Sequence, residues 1–277
     1  MKISIITICY NRVSTIETAI QSVLSQTYPE IEYIVVDGGS TDGTQKVIEK
    51  YKDSISHYVS EPDKGMYNAL NKAIGLATGD VIGILHSDDE YFSNETLAIY
   101  ADTFLQSNVD IVYANGMYFS ESKEQRTKNK DHRPQTTDHR RQSTDKGEDI
   151  VKRIYKAKPF KKWYLYFGWI PLHTTIFVKR EVFENYGLYK ENYQIASDYE
   201  ISLRWFLNPA LKKQFTDTWV VRMKLGGKST SASLQKKKSA EDLEIIRYYK
   251  LWGVITLMFK IGRKIPQYLL PRIFSYR

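Results

Sequence analysis

Three clusters of polar residues in the first third of the chain have the composition of a ligand-binding site. Each cluster directly follows an apolar run: residues 7–12 (TICYNR), 37–43 (DGGSTDG) and 86–89 (HSDD). Short apolar runs rich in β-branched residues predict buried strands. In open parallel sheets, ligands bind at the carboxyl ends of the strands. We therefore expect the three clusters to meet at one edge of a sheet.

The adjacent acids Asp88 and Asp89 indicate a cation site. Neighbouring carboxylates repel each other unless a cation lies between them or water screens them. Hard oxygen ligands favour Mg²⁺ or Mn²⁺, which keep several waters and bridge to the phosphates of a ligand. A solvated turn or a helix cap accounts for the pair equally well, so this motif alone leaves the choice open.

The cluster at 37–43 combines glycines for a tight turn with Asp37, which ends an apolar run and could accept a hydrogen bond from a base or a ribose. A turn followed by a helix cap explains the same residues about as well. Neither a Gly-x-Gly-x-x-Gly fingerprint nor a phosphate-binding Gly-Lys-Ser/Thr loop follows the first predicted strand. This argues against a dinucleotide-dependent enzyme and against a nucleotide triphosphatase.

An alternation of strands and helices must position these clusters. Helical patterns separate the apolar runs, which indicates parallel strands joined by right-handed crossovers. Ser14 and Glu17 have the spacing of a capping box at the start of the first helix. The predicted fold class is α/β, with an open and mainly parallel sheet flanked by helices. The predicted strands are 3–9, 33–36, 55–59, 81–85, 111–113 and 174–178, and the predicted helices after the first are 44–51, 66–77, 96–105, 180–186 and 198–206.

Composition divides the 277-residue chain into three predicted parts. Residues 1–115 carry 7 basic and 16 acidic side chains, residues 116–235 carry 23 and 13, and residues 236–277 carry 10 and 3, so the net charge of +8 is very uneven. The stretch at about 121–147 is polar, has no apolar period and predicts a mobile loop. With 42% hydrophobic and 26% charged residues, the composition excludes a disordered chain, a collagen-like fibre and a disulfide scaffold.

The segment 236–277 interleaves lysines and arginines with large apolar side chains. This pattern is typical of a helical tail that lies on an anionic membrane surface, and the alternative is a helix that packs its apolar side on the domain. The chain shows neither a signal peptide nor an apolar stretch long enough to span a bilayer. Its single cysteine, Cys9, suggests a reducing compartment. We therefore expect a cytoplasmic protein at the inner face of the cell membrane.

Several motifs, in collinear order, resemble glycosyltransferase family 2. These are the inverting nucleotide-sugar transferases of the Rossmann-like GT-A fold, and the resemblance is strongest to bacterial enzymes that add single sugars in surface-polysaccharide assembly. It is strong over residues 1–115 and looser from His173 to Trp205. The motifs that carry it lie at 5–11, 22–28, 35–44, 61–65 and 88–89, and at 195–200 in the looser part.

The resemblance implies a role for each candidate site residue. Residues 1–115 would bind the nucleotide sugar and residues 116–235 the acceptor. Asp37 would contact the base, Asp88 and Asp89 would stand where the family's Asp-x-Asp motif reaches ribose and metal, and Asp89 is the expected ligand of Mg²⁺ or Mn²⁺. Asp198 falls where the family carries its catalytic base, although an acid there is also a good helix start. The remaining donor-binding residues implied by the resemblance are Thr7, Tyr10, Arg12, Asp63 and Lys64.

Two positions depart from the family pattern. His86 stands where many members carry an acid, which puts the metal or ribose contact in doubt. In processive synthases a Gln-x-x-Arg-Trp motif binds the growing chain, but Ile201 occupies the Gln position here. With the absence of membrane spans, this favours the addition of one sugar. His173 could face the acceptor, supply a metal ligand, or be a core or capping histidine.

The sequence thus predicts a metal-dependent inverting transferase that moves one sugar from a nucleotide diphosphate sugar, taken as UDP-linked, to a glycan or lipid-linked acceptor. A non-catalytic nucleotide-sugar-binding module is the alternative. Asp198 distinguishes the two readings, since only an enzyme needs this acid close to the Asp88–Asp89 pair. Nucleic acid is not an expected partner, because no recognised motif accompanies the basic regions.

Overall fold

The computed structural model describes residues 1–120, 150–224 and 232–273. The loop predicted at 121–147 lies outside the described residues. Within the described ranges the chain forms one mixed sheet with helices on both faces. The strands are β1 (Ile3–Cys9), β2 (Ile31–Asp37), β3 (His57–Ser60), β4 (Val81–Ile84), β5 (Asp89–Tyr91), β6 (Ile111–Ser120), β7 (Ile150–Tyr155), β8 (Phe177–Lys179) and β9 (Lys213–Lys224).

The described helices lie between and after these strands. They are α1 (Ile16–Leu24), α2 (Thr44–Glu49), α3 (Met66–Leu76), α4 (Thr96–Gln106), α5 (Arg180–Tyr186), α6 (Ser197–Leu207), α7 (Ala232–Tyr248), α8 (Val254–Gly262) and α9 (Lys264–Ile273). The chain also forms short 3₁₀ turns, one of them at His173–Thr175.

The strand order is β3-β2-β1-β4-β8-β6-β9-β5, and β7 pairs with β6 off this path. The first four strands run parallel to one another, which confirms the predicted crossovers. From β8 onwards the sheet is mixed: β8 is antiparallel to both neighbours, whereas β6 and β9 are parallel. The α/β fold class predicted from the sequence is confirmed.

Strand alternation sends the apolar side chains of β1 and β2 to opposite faces of the sheet. On one face, Ile6 and Ile34 pack under α3, α6 and α7. On the other, Ile5 and Val35 pack under α1 and α4. Every residue of β1 is buried, which explains the unbroken apolar run that predicted this strand. The core therefore has two layers, with the carboxyl ends of the parallel strands at one edge.

The capping box predicted at the start of α1 is wrong. The N-cap is Thr15, and it makes no side-chain capping hydrogen bond. Glu17 instead accepts a hydrogen bond from the Tyr51 hydroxyl, at 2.9 Å. The side chain of Glu17, which the local pattern assigned to the cap, is thus engaged in a tertiary hydrogen bond with Tyr51.

The predicted division at 1–115, 116–235 and 236–277 stays a prediction. The boundary at 115/116 falls inside β6, so the first two parts share a strand. In the tail, Ile245 and Ile246 of α7 are fully buried, whereas α8 buries only Thr256. Among the described helices, none combines the length and the apolar character that crossing a bilayer requires.

Candidate functional site

Asp37 ends β2 at the edge where the parallel strands finish. Its carboxylate is completely buried and accepts hydrogen bonds from the Ser40 backbone N–H at 3.0 Å, the Ser60 hydroxyl at 2.7 Å and the Ser40 hydroxyl. Burial raises the pKa of Asp37, but these hydrogen bonds outweigh burial and hold the pKa below its ordinary value. Asp37 is therefore ionised and fixes the loop that follows it. Its direct contact with a base stays a prediction.

Three strand ends meet at Gly38. A Cβ atom at this position would lie 2.6 Å from Asp63 Oδ2 and 3.5 Å from Tyr10 Cδ2, so the two side chains closely approach the Gly38 backbone. Tyr10 keeps 49% of its surface exposed, and Lys64 is exposed beside Asp63. The residues after β1, β2 and β3 thus form a polar surface that includes one half-exposed aromatic side chain.

The residues after β1 are fixed by the loop at 38–44. Asn11 adopts a φ of +53° and donates its backbone N–H to the Ser40 hydroxyl at 2.7 Å. Arg12 donates its backbone N–H to Thr44 Oγ1, also at 2.7 Å. Thr7 lies deeper: it is completely buried, and its hydroxyl accepts a hydrogen bond from Tyr33 at 3.1 Å.

Asp88 and Asp89 follow β4, as predicted, but their surroundings differ. Asp88 is partly exposed, whereas Asp89 begins β5 and is 3% exposed. Oδ2 of Asp89 is buried without a hydrogen-bond partner. Burial and the Asp88 carboxylate raise the pKa of Asp89 well above its ordinary value.

This unpartnered oxygen fits a divalent cation. Within the ranges that the structure describes, no three His, Cys, Asp or Glu side chains form a metal cage. Mg²⁺ needs no such cage, because it commonly takes one or two protein carboxylates and completes its shell with substrate phosphates and water. The unpartnered Oδ2 of Asp89 and the carboxylate of the neighbouring Asp88 could provide such protein ligands.

Two histidines connect the segment before Asp88 to Asp198. His86 Nε2 lies 3.1 Å from His173 Nε2, and His173 Nδ1 lies 4.0 Å from Asp198 Oδ2. Burial lowers the pKa of His173 to about 4, so its ring is neutral at pH 7. Burial also lowers the pKa of His86, and the charges that act on this ring are those of Asp88, Asp198 and Arg12. His86 therefore lies within the electrostatic influence of Arg12, Asp88 and Asp198.

Asp198 lies in the first turn of α6, and its side chain is 27% exposed. Its Oδ1 accepts the Tyr199 backbone N–H at 2.8 Å and faces the Tyr67 hydroxyl at 3.5 Å. Burial raises the pKa of Asp198, but the charges of Lys238 and Lys260 and the Tyr199 backbone N–H outweigh burial, so the pKa lies below its ordinary value. The carboxylate is ionised at neutral pH and can accept a proton.

Sequence reasoning left the histidines open and missed the contribution of the tail. His86 and His173 lie 87 positions apart, and their contact has no local sequence signal. Lys238, whose own pKa is raised by Asp198, lies in the segment for which the sequence leaves open a membrane-facing tail or a helix packed on the domain. An acidic group at 241–244 within that basic segment was the one available sign that part of the tail faces protein.

The chain is similar in sequence to known glycosyltransferases. The sequence model of Glycosyl transferase family 2 matches residues 4–187, which include every predicted site residue except Asp198. An uncharacterized glycosyltransferase of Mycobacterium tuberculosis is 36% identical over 97 residues, which cover 35% of this chain and 37% of that protein. A PGL/p-HBAD biosynthesis glycosyltransferase of the same species is 25% identical over 217 residues, covering 76% and 72%.

A third relative has a named donor and acceptor. It is the UDP-Glc:alpha-D-GlcNAc-diphosphoundecaprenol beta-1,3-glucosyltransferase WfgD of Escherichia coli, which is 37% identical over 114 residues. The match covers 41% of this chain and 45% of WfgD. This chain thus spans less than half the length of WfgD and little more than a third of the first mycobacterial relative.

Solved structures are similar over the full chain. TarS 1-349 of S. aureus in complex with UDP-GlcNAc has a TM-score of 0.62 and 18% identity, covering 100% of this chain and 73% of that chain. The mannosyltransferase PcManGT of Pyrobaculum calidifontis, in complex with GDP-Man and Mn²⁺, has a TM-score of 0.61 and 14% identity, covering 100% and 76%. At these identities the similarity shows the fold, and the GT-A arrangement expected from the sequence is confirmed.

Proposed function

The chain belongs to glycosyl transferase family 2, and from that premise we propose that it transfers a single sugar from a UDP-sugar to a lipid-linked glycan in bacterial cell-surface polysaccharide biosynthesis. One observation carries the proposal: His86, two residues before Asp88, lies 3.1 Å from His173, and His173 lies 4.0 Å from the Asp198 carboxylate. The acid proposed as base is thus linked by contacts to the segment that carries Asp88. This favours an enzyme over a non-catalytic nucleotide-sugar-binding module.

The donor would lie across the ends of the first three strands. We place the base near Tyr10, whose side chain is half-exposed, beside the loop that Asp37 holds. Asp63 and the exposed Lys64 lie on the same surface. Arg12 and Lys64 would face the two phosphates, because cations stabilise a pyrophosphate and the nearby carboxylates would otherwise repel it.

Transfer with inversion requires one in-line displacement. The acceptor hydroxyl attacks C1 of the sugar, the bond from C1 to the phosphate oxygen breaks, and Asp198 accepts the hydroxyl proton. A divalent cation held by Asp89 and the pyrophosphate would neutralise the charge that develops on the leaving nucleoside diphosphate. The lowered pKa of Asp198 suits its part, since a base must be ionised at the start of the reaction.

Addition of one sugar, rather than polymerisation, is supported by the interior of α6. Ile201 is 1% exposed and packs in the core. The Arg204 guanidinium pairs with Glu200 and donates to the Tyr186 carbonyl at 2.7 Å and the Leu188 carbonyl at 3.0 Å. These two residues occupy the places of the chain-binding Gln and Arg of processive synthases, and both are engaged within the protein.

The lipid-linked acceptor would be reached from a surface formed by α8 and α9. We call this surface, residues 252–270, the apolar tail surface. Residues 250–273 contain five basic and no acidic residues. Trp163, 55% exposed, extends the surface through Phe167, which contacts both Trp252 and Phe259. Apolar residues with interfacial tryptophans and flanking cations are typical of contact with an anionic lipid surface. Its exposed members are Trp252, Val254, Ile255, Met258, Phe259, Ile261, Ile265, Tyr268, Leu269 and Leu270.

The proposed reaction can be tested with UDP-glucose, GlcNAc-diphosphoundecaprenol and Mn²⁺, by measuring UDP release. We expect turnover by the wild type, loss of at least a thousandfold in kcat for Asp198→Ala, and unchanged donor affinity. Asp102→Ala, which removes an exposed acid from α4, is the control. Full activity of Asp198→Ala would refute the base. Stabilisation of the protein by UDP-sugars without turnover on any acceptor would favour the binding module.

A further inference from the structure

The segment that leads into the proposed catalytic acid has no cap of its own. Helix α6 starts at Ser197, its N-cap is Ala196, and the N-cap makes no side-chain hydrogen bond. The first turn of a helix leaves backbone N–H groups without intrahelical partners, and an acceptor must come from elsewhere. Asp198 is the second residue of this helix, so whatever holds its start also sets the position of Asp198.

Within the first turn, Asp198 donates its backbone N–H to the Tyr67 hydroxyl at 3.4 Å, and Tyr199 donates its own to Asp198 Oδ1 at 2.8 Å. The tail supplies the acceptor for the N-cap residue Ala196 and for the two residues before it. Glu241, on α7, accepts the backbone N–H of Gln194 at 3.0 Å through Oε1. Its Oε2 accepts the N–H groups of Ile195 and Ala196, each at 2.9 Å. Glu241 is 9% exposed. Three hydrogen bonds from consecutive backbone amides to one buried carboxylate are charge-assisted and fix the backbone in direction as well as in position.

Helix α7 is itself held against α6, so Glu241 acts from a fixed place. Ile245 and Ile246 are fully buried in the core that also contains Tyr199 and Ile201. The Tyr249 hydroxyl donates to Glu200 Oε1 at 2.7 Å. Lys260 of α8 pairs with Asp242 at 2.7 Å and lies over the Tyr199 ring. The contacts of the tail thus concentrate on the first turns of α6.

We propose that Glu241 is a positioning residue for Asp198, and that α7 is a structural part of the active site. The inference rests on the proposed role of Asp198 as base. A base that must lie within hydrogen-bond reach of an acceptor hydroxyl tolerates little displacement, because a shift of about 1 Å costs on the order of a hundredfold in rate. The same helix carries Lys238, one of the charges that keep the Asp198 carboxylate ionised.

The positioning role can be measured without substrate, by amide hydrogen exchange of residues 194–200. We expect Glu241→Ala to speed exchange at Gln194, Ile195 and Ala196 at least tenfold. Glu244→Ala is the matched control, because Glu244 is an exposed acid one turn further along α7 that contacts the Tyr193 side chain at 3.2 Å. Unchanged exchange in Glu241→Ala, or equal effects of the two variants, would overturn the proposal. If Glu241→Ala does not fold, Glu241→Gln, which keeps one acceptor oxygen, decides by the same measurement.

Kinetic measurements then test whether Glu241 affects the reaction rate by positioning Asp198. With UDP-glucose, GlcNAc-diphosphoundecaprenol and Mn²⁺, we expect Glu241→Ala to lower kcat 10- to 100-fold and to change the KM for UDP-glucose less than twofold. In an Asp198→Ala background, Glu241→Ala should have no further effect on the residual rate. A further loss of kcat in that background would mean a general structural role and would contradict the inference.

The outcomes separate this inference from the proposed reaction. No turnover by the wild type would defeat the reaction, while the exchange experiment would still decide whether Glu241 holds the start of α6. Turnover by the wild type with equal kcat for Glu241→Ala and Glu244→Ala would leave the reaction standing and defeat the inference.

Discussion

The surroundings of each acid at this site decide the direction in which its pKa shifts, even between residues of the same type. Asp37 and Asp89 both lie at strand ends and are both nearly inaccessible, yet their pKa values shift in opposite directions. Asp37 receives donors on both oxygens, whereas Asp89 has one oxygen without a partner. A buried carboxylate without compensation favours its neutral form, and a cation reverses that preference.

We therefore predict opposite effects of Asp89→Asn without and with ligand. Without a divalent cation the variant should be at least as stable as the wild type, because the amide replaces a carboxyl group whose ionisation is unfavourable in this buried position. With Mn²⁺ and UDP-glucose, the wild type should melt at a higher temperature than without them, and the variant should lose this increase. Differential scanning fluorimetry measures both. Asp102→Asn is the control, and a ligand-dependent increase retained in Asp89→Asn would contradict the metal role of Asp89.

The contacts between strands and loops are best illustrated by Glu32 on β2. Its carboxylate is 2% exposed and accepts hydrogen bonds from Lys2 Nζ at 2.8 Å, the Ser4 hydroxyl at 2.5 Å and the Thr78 hydroxyl at 2.6 Å. Burial raises the pKa of Glu32, but these bonds outweigh burial and lower it to about 2. One acid thus joins β2, β1 and the segment before β4.

A pH-dependent contribution to stability follows from that pKa. Because the folded pKa lies below the ordinary value of 4.5, the contribution is present in full above about pH 4.5 and is lost as pH falls towards 2. Its size is on the order of 2–3 kcal/mol. Urea unfolding of Glu32→Gln should show this deficit at pH 7 and a smaller one at pH 3.5. Glu30→Gln, an exposed acid two positions away, should show neither. A deficit independent of pH would refute the assignment.

The docking of α8 depends on one glycine. Gly168 has a φ of +64°, and a Cβ there would lie 2.5 Å from the backbone nitrogen of Lys260. We predict that Gly168→Ala destabilises the protein by about 2–4 kcal/mol and makes the tail more sensitive to limited proteolysis. Gly75→Ala, in α3 with no atom within 4 Å of the added Cβ, should be neutral or stabilising by up to about 1 kcal/mol. Equal behaviour of the two variants would show that α8 does not pack on Gly168.

These elements also show what sequence could and could not predict. The parallel strands and their helices could be predicted, because a sheet buried on both faces requires apolar side chains in a recognisable pattern. The polar clusters could be predicted with them, since they directly follow the apolar runs. Strand β9 has mostly half-buried residues and no clear alternation, so its pattern gave no signal. The contacts of Glu241 with residues 194–196 and of His86 with His173 join distant segments, and only the folded chain brings them together.

The first part of the chain and the tail differ in net charge and in exposed apolar surface. The acidic first part, residues 1–115, carries the donor-side carboxylates, whereas the tail carries 10 basic and 3 acidic residues. All three of those acids lie on α7, which packs on the domain. The cations of the tail beyond α7 therefore accompany the apolar tail surface, and together they would orient the proposed lipid-facing side towards an anionic layer.

We predict that this surface binds vesicles containing anionic phospholipid. Replacing Ile255 and Met258, which are 55% and 67% exposed, together by Asp should weaken binding more than tenfold, because two side chains that would enter the lipid become charged. Leu105→Asp, a change at a residue that is 66% exposed on α4, should leave binding unchanged. Cosedimentation at increasing salt measures the electrostatic part, which should fall as salt screens the basic residues. Wild-type affinity in the double variant, or a comparable loss in Leu105→Asp, would show that lipid contact does not occur through α8.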